Sequence, residues 1–167
     1  MIKTHLKVQV VEKNALECIQ EYVDSGAQAA GRPFHLTVST AASHGFKLFV
    51  APEYQDAFND AECPRTPDFL YIEDPSEAKH WVVSGQDRGF NESQIELLDE
   101  VCRNKMRVLL SVDDAFTTIM GALDNNSMTD NAYTVLSGDH GYYVGQYGLT
   151  YSKMQPYDSS TRVIINL

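Results

Sequence analysis

The stretch from Glu92 to Leu123 constrains the fold most. Ile95, Leu98, Cys102, Met106, Leu109, Val112, Phe116, Ile119 and Leu123 recur there at three- and four-residue steps, which puts them on one face of a helix. The spacing predicts one long helix, or two in succession. A shorter amphipathic helix is expected from Val11 to about Gln28, carried by Val11, Ala15, Cys18, Ile19, Tyr22 and Val23 and ended by Gly26 and Gly31. Three β-rich runs accompany them: Phe34 to Thr40, which leads into a small-residue loop at Ala41 to Gly45, Tyr133 to Ser137, and Arg162 to Leu167. Pro64, Pro67 and Pro75 make residues 63–75 an irregular segment. Strand, helix, strand alternation argues for an α/β fold with helical crossovers.

With 167 residues, 43% of them hydrophobic and 10% aromatic, the chain can bury one real core. Its formal net charge of −10 repels a phosphate backbone, so nucleic acid is excluded as a partner. The same field opposes a polyanionic polysaccharide unless a local basic patch or a bound cation reverses it. Cys18, Cys63 and Cys102 form no metal-ligand spacing, and an odd count leaves at least one thiol outside any internal disulfide. No apolar run marks a signal peptide within this chain, and none reaches transmembrane length. Asn91-Glu92-Ser93 and Asn125-Asn126-Ser127 are N-glycosylation sequons of a kind that also arises by chance.

The densest chemistry lies in Ser137-Gly138-Asp139-His140-Gly141, at the carboxyl end of an expected strand, where ligands of open α/β sheets bind. Asp139 offers the hard oxygen that Ca²⁺ or Mg²⁺ prefers, and His140 can ligate through nitrogen or hydrogen-bond to a substrate. On spacing alone the pair is equally a turn carboxylate and a surface imidazole. His44 follows the Phe34 run at its carboxyl end, and by itself reads as a surface loop histidine. Lys153 by itself reads as a solvated lysine. Asp113 and Asp114 are adjacent on the long helix, where neighbours point apart, so they are read as structural.

The segment from Asn131 to Val163, NAYTVLSGDHGYYVGQYGLTYSKMQPYDSSTRV, resembles the sulfatase family. It follows that family's pattern of a strand, D-[HN]-G-x-x-x-G, a lysine, P-Y-[DE] and an R-V strand. Its D-H-G-Y-x-x-G-Q-[FY]-G-L run is similar to the heparan-sulfate glucosamine-6-O-endosulfatases and the N-acetylglucosamine-6-sulfatases. Ala42-Ser43-His44-Gly45, Ala51-Pro52-Glu53-Tyr54, Lys79-His80-Trp81 and Leu110-Ser111-Val112-Asp113-Asp114 match further family segments. The resemblance is clearest over 33–167, within a single partial catalytic domain spanning 1–167.

The resemblance implies an alkaline-phosphatase-like α/β domain, with a mixed sheet flanked by helices, that hydrolyses sulfate esters, here the 6-sulfate of glucosamine in heparan-type glycosaminoglycans. It implies that Asp139 ligates Ca²⁺, that His140 takes the position of a second ligand, that His44 faces the sulfate and that Lys153 contacts a sulfate oxygen. Such a site suits a transition state that builds negative charge on sulfur oxygens. Lys79, His80 and Trp81 are weaker candidates for substrate contact, with a surface-packed Trp81 as the other reading. Asn91 and Asn125 would carry glycans in a secreted, cell-surface or lysosomal protein. Sulfatases attack with a formylglycine made in a C-x-P-S-R motif. Cys63-Pro64-Arg65-Thr66-Pro67 has its proline and arginine at other offsets, so the nucleophile is expected upstream of this chain and the chain alone is expected to be inactive. Ser43 and Ile164 stand where the family commonly has proline. A non-catalytic remnant that binds glycan, or a phosphatase or phosphodiesterase of the same superfamily, are the alternatives.

Overall fold

The computed structural model describes residues 4–45, 48–71, 90–150 and 153–167. They divide into two compact units, Met1–Phe58 with Asn104–Tyr133, and Asn59–Arg103 with Thr134–Leu167.

In the first unit, helix α1 (Thr4–Asp24) starts two turns before the expected Val11. Leu6, Val8 and Val10 alternate with polar residues, a period-two pattern that masks the start of a helix. The face it buries runs through Val8, Ala15 and Ile19, seven and four residues apart, while Cys18 is exposed. Beyond Asp24 the chain reverses, and the Tyr22 hydroxyl donates to the Arg32 carbonyl at 2.6 Å. The Tyr22 ring lies 4.7 Å from that of Phe34. From Phe34 to Thr40 the chain joins no ladder among the described residues. Phe34 and Leu36 are half-buried between exposed His35 and Thr37, so the alternation read as a strand is present without a hydrogen-bonded neighbour.

Helix α2 (Glu92–Asn125) is unbroken, as one of the two sequence expectations has it. Its buried face differs in part from the expected stripe. Leu98, Cys102, Val108 and Ala115 are buried, whereas Leu109 and Phe116 are exposed at 48% and 36%. Buried Arg107 donates from Nε to the Ala57 carbonyl at 2.7 Å, so the first unit is held partly by a charged side chain. Tyr54, at the end of the 3₁₀ turn Pro52–Tyr54, donates its hydroxyl to Asp114, which pushes the phenol up to about 12. Asp114 thus has a structural partner.

In the second unit the start of α2 is capped reciprocally: Asn91 Oδ1 accepts from the Gln94 N–H at 3.0 Å, and Gln94 Oε1 accepts from the Asn91 N–H at 2.9 Å. Cys63 and Cys102 form a disulfide with Cα atoms 5.6 Å apart, beside buried Leu98 and under Phe69, Phe90 and Val144. The expected strands shrink to β1 (Leu136–Ser137) and β2 (Ile165–Asn166), paired antiparallel with Leu136 opposite Asn166 and Ser137 opposite Ile165. Among the described residues the sheet consists of this antiparallel pair. A second antiparallel contact joins Phe69 to Gln146, with Leu70 N–H on the Gly145 carbonyl at 2.8 Å and Tyr147 N–H on that of Asp68 at 2.8 Å. Gly145 sits at φ +108° with the Phe69 ring against it, where an added Cβ would meet Phe69 Cε2 at 2.5 Å.

Candidate functional site

The loop that leaves β1 carries Asp139 and His140 and turns back on itself before reaching the short helix α3 (Asp158–Thr161). Two features close that loop. Gly141 N–H donates to the Ser160 carbonyl at 2.8 Å, and a Cβ at Gly141 would lie 2.1 Å from the Ser159 carbonyl oxygen, so only glycine allows the two backbones to touch. The second is Tyr143, fully buried, whose hydroxyl donates to the Gln155 carbonyl at 2.8 Å and accepts from the Tyr157 N–H at 3.2 Å. Its ring packs edge-on to Tyr157.

This closure brings Lys153 to His140 across thirteen residues. His140 Nδ1 lies 2.8 Å from the Gly141 carbonyl; a carbonyl only accepts, so Nδ1 carries the hydrogen and Nε2 is left with its lone pair. Lys153 Nζ contacts that Nε2, and Asp139 Oδ2 lies 3.4 Å from it. Asp139 is open to solvent, at 87% side-chain exposure, and His140 is a third exposed. The Asp139 carboxylate and the Lys153 ammonium thus both come within reach of His140 Nε2 near the surface. The second unit brings together three of the four strongest sequence candidates.

The donor set suits a hard cation in part. The Nδ1–H···O=C bond of His140 is the arrangement that orients a metal-ligating imidazole. Asp139 adds an anionic oxygen, and ligands of Ca²⁺ at about 2.4 Å lie roughly 3.4 Å apart when they subtend a right angle. Among the described residues no group of three or more His, Cys, Asp or Glu side chains converges, so this pair offers two of the six to eight ligands Ca²⁺ usually takes. The Lys153 ammonium and a metal ion would also compete for the same lone pair.

His44 belongs to the first unit. It is exposed and follows Ser43, which has φ +60°. Lys105 of α2 donates to the Ser43 carbonyl at 2.7 Å and pins this turn. Lys79, His80 and Trp81 lie outside the described residues. Asn125 is exposed where α2 ends, and Asn91 is the helix cap. Tyr143 was not among the sequence candidates. It stands at an unspecified position of the D-H-G-Y-x-x-G run, among the aromatic and apolar neighbours Tyr142, Val144 and Tyr147, so nothing in the sequence set it apart.

The sequence profile of the family described as Sulfatase matches residues 7–163. N-acetylglucosamine-6-sulfatase of Capra hircus is 33% identical over 131 residues, covering 78% of this chain and 23% of that protein. The arylsulfatase of Volvox carteri is 30% identical over 156 residues, 82% of this chain and 24% of its own length. An extracellular sulfatase, the SULF-1 homolog of Drosophila melanogaster, is 29% identical over 139 residues, 83% of this chain and 12% of its own. The chain thus spans about a quarter or less of these relatives. No solved structure matches the chain significantly. With the family pattern extending over nearly every residue from α1 to the start of β2, the chain belongs to the sulfatase family.

Proposed function

We propose that these residues form part of a sulfuric ester hydrolase that removes the 6-sulfate from glucosamine units of heparan-type glycosaminoglycans. The observation that carries the reading is the convergence of Asp139, His140 and Lys153 on one point of the second unit. A sulfate ester is an anion whose transition state concentrates charge on its oxygens, and an ammonium with a carboxylate-held cation is the complement of that charge. In this reading Asp139 and His140 hold Ca²⁺, which supplies positive charge to the sulfate. Lys153 then directs its ammonium to a sulfate oxygen. His44 is proposed as a further sulfate contact, and Lys79, His80 and Trp81 as contacts to the sugar.

The net charge of −10 on these residues favours such a cation, because local positive charge must offset their repulsion of a sulfated glycan. Sulfatase membership implies an alkaline-phosphatase-like α/β fold, and a helix-rich chain with a small antiparallel pair is consistent with it. The Cys63–Cys102 disulfide favours an oxidising compartment, and a relative is named extracellular; both support secreted, cell-surface or lysosomal placement. No helix among the described residues is long and apolar enough to cross a membrane. The formylglycine nucleophile is proposed to come from sequence outside these residues.

The test is the full-length protein carrying this chain, assayed with calcium on heparan disaccharides that bear a single sulfate at the 6, 2 or N position. Sulfate release from the 6-sulfated sugar alone is expected. Release from an aryl phosphate instead of any sulfate ester would replace this reading with a phosphatase, and glycan binding without release would make the protein a non-catalytic binder.

A further inference from the structure

His140 and Lys153 are thirteen residues apart, and their contact needs the intervening chain to close in one geometry. That closure converges on a single carbonyl. Gln155, two residues after Lys153, accepts from the Tyr143 hydroxyl at 2.8 Å and from the Ser160 hydroxyl. Tyr143 is three residues after His140 and fully buried, and Ser160 is buried at 5% exposure. The same Tyr143 oxygen accepts from the Tyr157 N–H at 3.2 Å, so one hydroxyl holds the segment that follows Lys153 at two points, the Gln155 carbonyl and the Tyr157 N–H. A buried phenol with both hydrogen-bonding roles filled is costly to disturb, and its ring is fixed edge-on to Tyr157 at 6.5 Å.

We propose that Tyr143 is a positioning residue for Lys153: its hydroxyl sets the distance between the lysine ammonium and the Asp139–His140 pair, and thereby the affinity of the site for a sulfate group. The proposal rests on the sulfatase reading above. Tyr143 touches no substrate and acts only by holding the 155–157 backbone.

The experiment is a double-mutant cycle in the full-length protein, with the dissociation constant for inorganic sulfate and kcat/KM on an aryl sulfate as readouts and a thermal melt beside each variant. Tyr143→Phe keeps the ring and removes the hydroxyl. It is expected to weaken sulfate binding and lower kcat/KM by about tenfold in the native background, and by less than about twofold when Lys153 is already alanine. Equal losses in both backgrounds, or no loss in the native one, overturn the proposal. If Tyr143→Phe abolishes the cooperative melt, the cycle runs with Ser160→Ala, which loosens the same Gln155 carbonyl, and an additive result there overturns it likewise. A native protein that neither binds sulfate nor hydrolyses the ester defeats the sulfatase reading instead, which separates the two failures.

Discussion

Asp99 receives the guanidinium of Arg65 at 2.7 Å and the backbone N–H of Cys63 at 2.8 Å. Burial pushes the Asp99 carboxyl up, but the Arg65 hydrogen bond, the Cys63 N–H and the charges of Arg65 and Arg103 outweigh it, and the group sits below the usual carboxylate range. Arg65 also lies over the Phe69 ring, 4.3 Å from its centroid, so one guanidinium links the helix, the disulfide segment and the 145–147 bridge.

Arg65→Ala is expected to cost about 2 kcal/mol, the scale of a hydrogen bond to a charged group. The pH dependence follows from the lowered carboxyl. Its contribution is full above the unfolded carboxylate value near 3.9 and is lost as pH falls through the lower folded value. Melting temperature should fall on acidification below about pH 4, and Asp99→Asn should flatten that fall while lowering stability at neutral pH.

The helix that carries Asp99 was legible because its periodicity is local: every third or fourth residue from Ile95 to Leu123 reports the same face. Its buried side was less so, since Arg107 and Asp99 are buried by partners distant in sequence, Ala57 and Cys63, while Leu109 is left exposed. Strands fared worse for the same reason. Phe34 to Thr40 has the composition of a strand, but a strand exists only with a neighbour, and composition does not supply one. At the site, the family pattern singled out Asp139, His140 and Lys153, and the contacts among them come from the fold of the intervening loop. Tyr143 was not singled out, because its hydrogen bonds go to a backbone carbonyl and amide that no side-chain motif records.

The Cys63–Cys102 bridge closes a span of 39 residues, for which the chain-entropy model gives about 4 kcal/mol. Under denaturing conditions without reductant, thiol labelling should modify Cys18 alone. Reduction should lower the melting temperature and expose all three cysteines. Labelling of Cys63 or Cys102 in the unreduced protein would contradict the pairing.

Gly141 and Gly138 flank the Asp139–His140 pair and should respond differently. An added Cβ at Gly141 meets the Ser159 carbonyl oxygen at 2.1 Å, whereas at Gly138 its nearest contact is 3.6 Å away. Gly141→Ala is expected to cost about 2–3 kcal/mol by forcing α3 off the loop, and to lower sulfate affinity with it. Gly138→Ala should melt within about 0.5 kcal/mol of the native protein.

Asn91 caps α2, and its replacement tests that role apart from any glycan. Asn91→Ala should cost about 1 kcal/mol and Asn91→Asp very little, since aspartate keeps the oxygen that accepts the Gln94 N–H. Equal losses in both variants in unglycosylated protein would contradict the cap.

Asp139, His140 and Lys153 are proposed to act together on a sulfate group, and sulfate release from N-acetylglucosamine 6-sulfate by the full-length protein tests this most directly. Removing calcium, Asp139→Ala and Lys153→Ala are each expected to lower kcat/KM by at least about 100-fold, with the melting temperature little changed by Lys153→Ala. Turnover that survives all three changes would contradict the account.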